Sequence, residues 1–526
     1  MKKINMKKKN LIYITLSLFL TGISFVSCDD YLDINKNPNY PTEATLATLL
    51  PSAGATTVAQ WGFNGQLVGD LWNQYVTQGN STNQYNTTVN YSITQDSYNA
   101  FWTNAYANTL PDLKILISLA EQKGAWNYWV IGKILTAYNY HMLTDFYGDI
   151  PFTEALNATE FPAPKYDDSK TVVYPGIIAI LDEAIAKASD AKASTNPTLT
   201  NEDFFFGGKI DKWVSFAKSL KLKLYLRDFE ANKTQISSLL SAGGLLTEDC
   251  AFTAFEDATN KGNPLYEYNI RQLNTKENIR ACHTFLEFLL AYNDPRVGEY
   301  YELTATAEAA INKGETLTDR QKFGGLPCGT KPPTTVGEDD AVPLVNSSRY
   351  KQAYSDPAYL MNAAEAYFLV AEAQARLGNT SAAKSAYDEG VTKAFSRWGY
   401  SATDFIKTGG AYAFNSTSLG TMLNSILIQK WVAGAKANSW DSWMDRNRTG
   451  IPAISDAEKV RVSNITPGLE EGYVLGTLVR PGTTVLQARE IPRRLPVPNA
   501  SALYNSNAPK TKATQEPLWW QVAQGN

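Results

Sequence analysis

The chain has 526 residues, with 48 basic against 52 acidic side chains, a formal net charge of −4 and 44% hydrophobic residues. That balance excludes a nucleic-acid binder by bulk charge, and the apolar content is enough to bury a large core. His141 and His283 fall into neither HxxxH nor CxxC spacing, so neither a metal nor a cofactor is expected.

Lys2, Lys3, Lys7, Lys8 and Lys9 precede an uncharged apolar stretch from Leu11 to Val26, followed by Ser27, Cys28, Asp29 and Asp30. This is the layout of a secretory signal, expected over residues 1–27. A spanning helix needs about 20 apolar residues; this run is shorter and is broken by Thr15, Ser17, Thr21 and Ser24, which makes a permanent membrane span the weaker reading. Cys28, placed after small Ser27, resembles the cysteine of a bacterial lipobox, whose thiol receives a diacylglycerol. Each buried methylene contributes about 0.8 kcal/mol, so several acyl chains anchor stably. The alternative is an ordinary secreted protein with a chance cysteine. Asp29 and Asp30 resemble the acidic signal that sends some lipoproteins to the outer face of the outer membrane. Loss of residues 1–27 removes five lysines and no acidic residue, leaving 43 basic against 52 acidic side chains, a net −9. Cys250, Cys282 and Cys328 then allow at most one disulfide. Residues 28–526 are expected to form one body, with a tether over 28–45, a helical scaffold over about 46–300 and 355–450, and a loop-rich insert over about 300–355.

The segment from Asp33 to Thr42 is rich in turn formers. Its D-x-N-x-N opening fails as a calcium loop, because Pro38 and Ala44 stand where Gly and Glu are needed. Residues 61–106 hold the densest mixture of rings and amides. There Trp72 to Tyr75 close a helix, Gly79 to Val89 read as an aperiodic loop, and Tyr98 to Tyr106 begin another helix. Long loops in compact proteins are more often functional than idle. Rings cover the apolar faces of sugars or clamp peptide side chains, while amides both donate and accept. The expected ligand surface is Trp72, Tyr75, Asn83, Gln84, Tyr85 and Tyr91; a core role stays open for the helix-borne rings Trp72, Tyr75, Phe101 and Trp102.

From Leu110 the period is helical. Leu113, Leu116, Ile117 and Ala120 share a face, Gly124 interrupts, and Trp126, Val130, Ile134 and Ala137 continue, which predicts a helical hairpin over about 110–143. The next stretch, LTDFYGDIPFTEAL, clusters Asp145, Asp149 and Glu154, which taken alone suits the acid/base pair of a glycoside hydrolase. Helices follow over about Tyr174 to Ser189 and Lys209 to Phe229.

The LTDFYGDIPFTEAL segment, followed in order by FFFGGKIDKWVSFAKSLKLKLYLRDFE, resembles the SusD/RagB family of outer-membrane nutrient-binding lipoproteins. Asp294-Pro295-Arg296, the run from Leu360 to Ala373, Ile428 to Trp431, Asp445 to Pro452 and Ile491 to Leu495 continue the same order. The resemblance implies a mainly α fold on a tetratricopeptide-like helical hairpin scaffold, with long irregular loops and few short strands. Residues 358–397, with Gly378-Asn379 between two Ala-lined segments, read as one such hairpin. It further implies a non-enzymatic glycan-binding protein, lipid-anchored at Cys28 in the outer membrane and facing outward, acting with a SusC-like TonB-dependent transporter. A peptide ligand in the same system is the first alternative, and a surface-anchored hydrolase using Asp145, Asp149 or Glu154 the second.

Overall fold

The computed structural model describes residues 44–329, 344–461, 468–487 and 490–522. The chain divides into two units, Met1–Thr45 and Leu46–Asn526, and the elements that follow all belong to the second. The expected signal segment, Cys28 and the Asp33 to Thr42 stretch lie outside the described residues, as do residues 330–343 of the loop-rich insert.

The body is mainly α-helical. Helices α1 (Leu46–Gln60), α2 (Gln66–Trp72) and α3 (Asn99–Asn104) lead into a hairpin of α4 (Leu110–Lys123) and α5 (Trp126–Tyr147). Pro111 sits in the first turn of α4, directly after a π-helical turn over Ala105–Thr109. Gly124 ends the helix at φ +66°, a left-handed cap that costs a residue with a Cβ but not glycine. Gly132 lets the partners close up, since a Cβ there would lie 3.0 Å from Ile117 Cγ1. Helix α5 is buried almost all round from Val130 onward, which is why its pattern lacks a polar face.

Helices α6 (Tyr174–Ala186), α7 (Ile210–Leu226) and α8 (His283–Ala291) follow. A second hairpin joins α9 (Ala363–Arg376) to α10 (Thr380–Ser396). The Asn362 side chain caps α9 by accepting from Glu365 N at 2.9 Å. A Cβ on Gly390 would meet the Phe368 ring at 2.7 Å, so glycine sets how closely α10 approaches α9. The chain continues through α11 (Leu419–Gly434), α12 (Ser439–Thr449) and α13 (Asn499–Tyr504). The strands β1 (Val76–Gln78), β2 (Cys250–Phe252), β3 (Ile279–Ala281) and β4 (Ala358–Met361) form two small antiparallel pairs. In the first, Thr77 faces Arg280; in the second, Ala251 faces Tyr359.

Five of the segments that carried the family resemblance meet in buried ion pairs. Arg227, at the C-terminal cap of α7, pairs with Asp145 on α5 at 2.5 Å and approaches Asp445 on α12 at 3.5 Å. Asp445 also takes Lys430 of α11 and Arg448, which in turn holds Glu372 of α9. Nearby, Lys223 on α7 bridges Glu365 at 2.6 Å and Asp441 at 2.7 Å. Buried charges are tolerated only when paired and hydrogen-bonded, so these positions fix how five helices register against one another. Burial alone would raise the Asp145 carboxyl, but Arg227 and His141 override it and hold the pKa at about 2.

Candidate ligand-binding site

The stretch expected to form the ligand surface turns inward at its start. Gln74 adopts φ +58° just after α2, and its amide accepts from Thr284 Oγ1 at 2.7 Å and from Val479 N at 3.0 Å. This pins Tyr75, whose hydroxyl donates to the Trp431 carbonyl and whose ring packs on Phe285 at 4.9 Å. Trp72 donates from Nε1 to Thr88 O at 3.0 Å and meets the Tyr91 ring edge-on. Trp72, Tyr75, Tyr85 and Tyr91 are all buried, at 1%, 0%, 5% and 3% exposure. The expectation of exposed, loop-borne rings at Tyr85 and Tyr91 is therefore corrected. Residues Asn86–Val89 form a helical turn rather than an open loop, and partners distant in sequence cover the rings. Thus Tyr85 donates from its hydroxyl to Asn269 Oδ1 at 3.0 Å.

Asn83 and Gln84 do reach the surface. Gln84 Nε2 donates to the Tyr268 hydroxyl at 3.3 Å, and the half-buried Tyr268 ring leans on Phe63 with centroids 4.4 Å apart. Beside this patch lies a groove lined among others by Gln66, Asn263, Tyr350, Gln352, Asp356 and Lys436. The two are linked through one amide: Asn269 accepts from Tyr85 and donates from Nδ2 to Gln352 Oε1 at 3.4 Å. Tyr85 thus stands behind the groove wall.

Behind two of the lining residues, Gln66 and Tyr350, lies a buried carboxyl. Asp70 accepts from Gln66 Nε2 at 2.8 Å and from the Tyr350 hydroxyl at 3.0 Å. Burial pushes its pKa up to about 7, against the lowering effect of those bonds. At the rim Lys436 pairs with Asp356 at 3.0 Å. The amides and ion pair of the groove, with the Phe63 and Tyr268 rings beside it, fit recognition of a polar, hydroxyl-rich ligand. Phe63, Tyr268, Gln352 and Lys436 escaped the sequence reading. The ring and amide content of PLYEYNIRQ (264–272) repeats the signal seen at 61–106, whereas nothing local marks Lys436.

The three carboxylates of the hydrolase reading are dispersed. Asp145 is fully buried in the ionic network. Asp149 accepts from Ser169 N at 2.9 Å and lines a small pocket with Arg494, while Glu154 accepts from Lys165 N at 2.8 Å and lines another cleft beside Trp102. A glycosidase needs two carboxyl groups flanking one bond, and this arrangement offers no such pair among them. Among the described residues no group of His, Cys, Asp and Glu is placed to hold a metal ion, and no helix is long and apolar enough to cross a membrane.

Residues 38–467 match the SusD-like_2 family model, described as "Starch-binding associating with outer membrane". The chain belongs to the SusD-like family. Solved structures agree in fold. A SusD homolog from Bacteroides uniformis superposes with a TM-score of 0.69 at 21% identity, over 91% of this chain and 100% of that one. A chitin-binding SusD homolog from Flavobacterium johnsoniae gives 0.67 at 20% identity, over 91% and 98%. A SusD/RagB family protein from Bacteroides thetaiotaomicron gives 0.64 at 20% identity, over 91% and 99%. At these identities the likeness establishes the SusD-like fold and leaves the ligand open. Comparison with curated proteins finds no match.

Proposed function

We propose that this SusD-like chain captures a glycan at the groove and the adjoining Phe63–Tyr268 patch, and delivers it to a SusC-like TonB-dependent outer-membrane transporter without cleaving it. The observation that carries this reading is a groove bearing Gln66, Gln352 and the Lys436–Asp356 pair next to a patch of the half-buried Phe63 and Tyr268 rings and the exposed Gln84 amide, drawn from segments around residues 63, 84, 268, 352 and 436. Asn83 and Gln84 are the contacts retained from the expected surface; Trp72, Tyr75, Tyr85 and Tyr91 form the framework behind it. A lipid on Cys28 would hold the body at the outer face of the membrane, and docking above a transporter would raise the local concentration of captured ligand at the channel mouth. The family description and the chitin-binding neighbour favour glycan over peptide.

The test is a binding screen of the full chain, purified in detergent, against soluble polysaccharides and a peptide mixture. Retention by a polysaccharide, weakened in Tyr268→Ala and with the polysaccharide recovered at full length, supports the reading. Binding confined to peptides transfers the groove to the alternative, and shortened polysaccharide returns the hydrolase.

A further inference from the structure

The cleft that Glu154 lines shares no residue with the groove and lies between α13 and the segment from Pro151 to Pro164. On one side stands Tyr504 of α13, 85% exposed and next to Leu503 at 77%, the two most exposed large apolar side chains among the described residues. This helix is no fraying end. Asn499 Nδ2 donates to Asp96 Oδ1 at 2.7 Å, the Ser501 and Tyr166 hydroxyls are 2.6 Å apart, and Asn505 Nδ2 donates to Pro164 O at 2.7 Å. The Tyr504 ring thus stands in water on a firmly held helix. The floor is Trp102, which stacks on Tyr166 with centroids 5.8 Å apart and planes at 19°, and touches Tyr106 at 4.8 Å. Phe161 and Asn157 complete the wall with the half-buried Glu154.

We propose that this cleft is a second sugar-stacking site, in which the Tyr504 ring covers the C–H face of a pyranose and Glu154 and Asn157 meet its hydroxyls. The inference rests on the glycan reading above. A flat apolar ring that shares a cleft with side-chain acceptor oxygens matches a sugar, whose two faces are apolar and whose edge is all hydroxyl. A carboxylate accepts from two neighbouring hydroxyls at once, which gives Glu154 a binding part in place of the catalytic one its motif suggested. Two separated sites on one body would also favour long chains over short ones, since the second contact forms at raised effective concentration.

The test is affinity electrophoresis of the full chain in detergent through gels containing soluble starch, glycol chitin, xyloglucan or laminarin, alongside Tyr504→Ala, Glu154→Gln and the groove variant Tyr268→Ala. Because Tyr504 is exposed, its variant should unfold at the parent temperature. The expected result is that a polysaccharide retaining the parent is held about two- to twelvefold less tightly by Tyr504→Ala, the range for loss of one stacking ring, and also less tightly by Glu154→Gln. If Tyr268→Ala loses retention while Tyr504→Ala and Glu154→Gln keep it, the second site is overturned and the groove stands. If none of the four polysaccharides retains the parent, the glycan reading and this inference fall together.

Discussion

Arg448 grips Glu372 with both prongs of its guanidinium, Nη1 to Oε1 and Nη2 to Oε2, each at 2.6 Å. Both residues are buried, and Arg448 also reaches Asp445 on its own helix. The pair ties α12 to the α9–α10 hairpin and links two segments 76 residues apart.

Removing one partner leaves the other charge buried and uncompensated, which typically costs about 3–5 kcal/mol. Glu372→Gln is therefore expected to lower stability by about that amount in urea unfolding. Burial alone would raise the Glu372 carboxyl, but Arg448 and Arg376 override it and hold the pKa at about 2. A depressed folded pKa stabilises at pH above the unfolded value and loses that contribution as pH falls through about 2. The parent should therefore lose stability on acidification from pH 4.5 to 2 more steeply than Glu372→Gln does.

Asp70 carries the opposite sign. Its folded pKa of about 7 lies above the ordinary 3.8, so the folded chain keeps a proton that the unfolded chain releases. That stabilisation is full below about pH 4 and is lost as pH rises through about 7. Between pH 5 and 8 the unfolding temperature of Asp70→Asn should fall less than that of the parent; an identical slope would mean that Asp70 ionises normally under the groove.

Neighbouring residues in one segment should behave differently. Tyr85 is buried and hydrogen-bonded to Asn269, so Tyr85→Ala should cost about 3–5 kcal/mol, as truncation of a buried aromatic does. Gln84 is exposed, and Gln84→Ala should leave the unfolding temperature in place while weakening polysaccharide retention. Equal thermal effects of the two changes would contradict the placement of Tyr85 behind the wall.

Gly69 marks where α2 and α12 come closest. A Cβ there would lie 2.2 Å from Trp440 N and 2.4 Å from Ser439 C, and backbone cannot give way as a flexible side chain does. Asn73 Nδ2 fastens the same contact by donating to Gly69 O at 2.8 Å and to Ser439 O at 2.6 Å. Gly69→Ala is expected to destabilise by about 1–3 kcal/mol or more, read by thermal unfolding, with Gly124→Ala in the α4–α5 turn as the milder control.

The sequence by itself determined the helices and their breaks. The α4–α5 hairpin is legible because Leu113, Leu116 and Ala120 recur at helical spacing before Gly124, and α9–α10 because alanines line both arms around Gly378. These signals are local, since periodicity and capping act within a few residues. The order of the motifs likewise pointed to the family. Only the tertiary structure decided which rings face water. Tyr85 looks like a loop ring until Asn269, 184 residues away, takes its hydroxyl, and Asp145 looks like a catalytic acid until Arg227 buries it in a salt bridge. The groove and the patch beside it have the same origin, because Gln352 meets Lys436, and Phe63 meets Tyr268, only when segments far apart in the chain pack together, and burial and pairing across such distances leave no periodic trace in the chain.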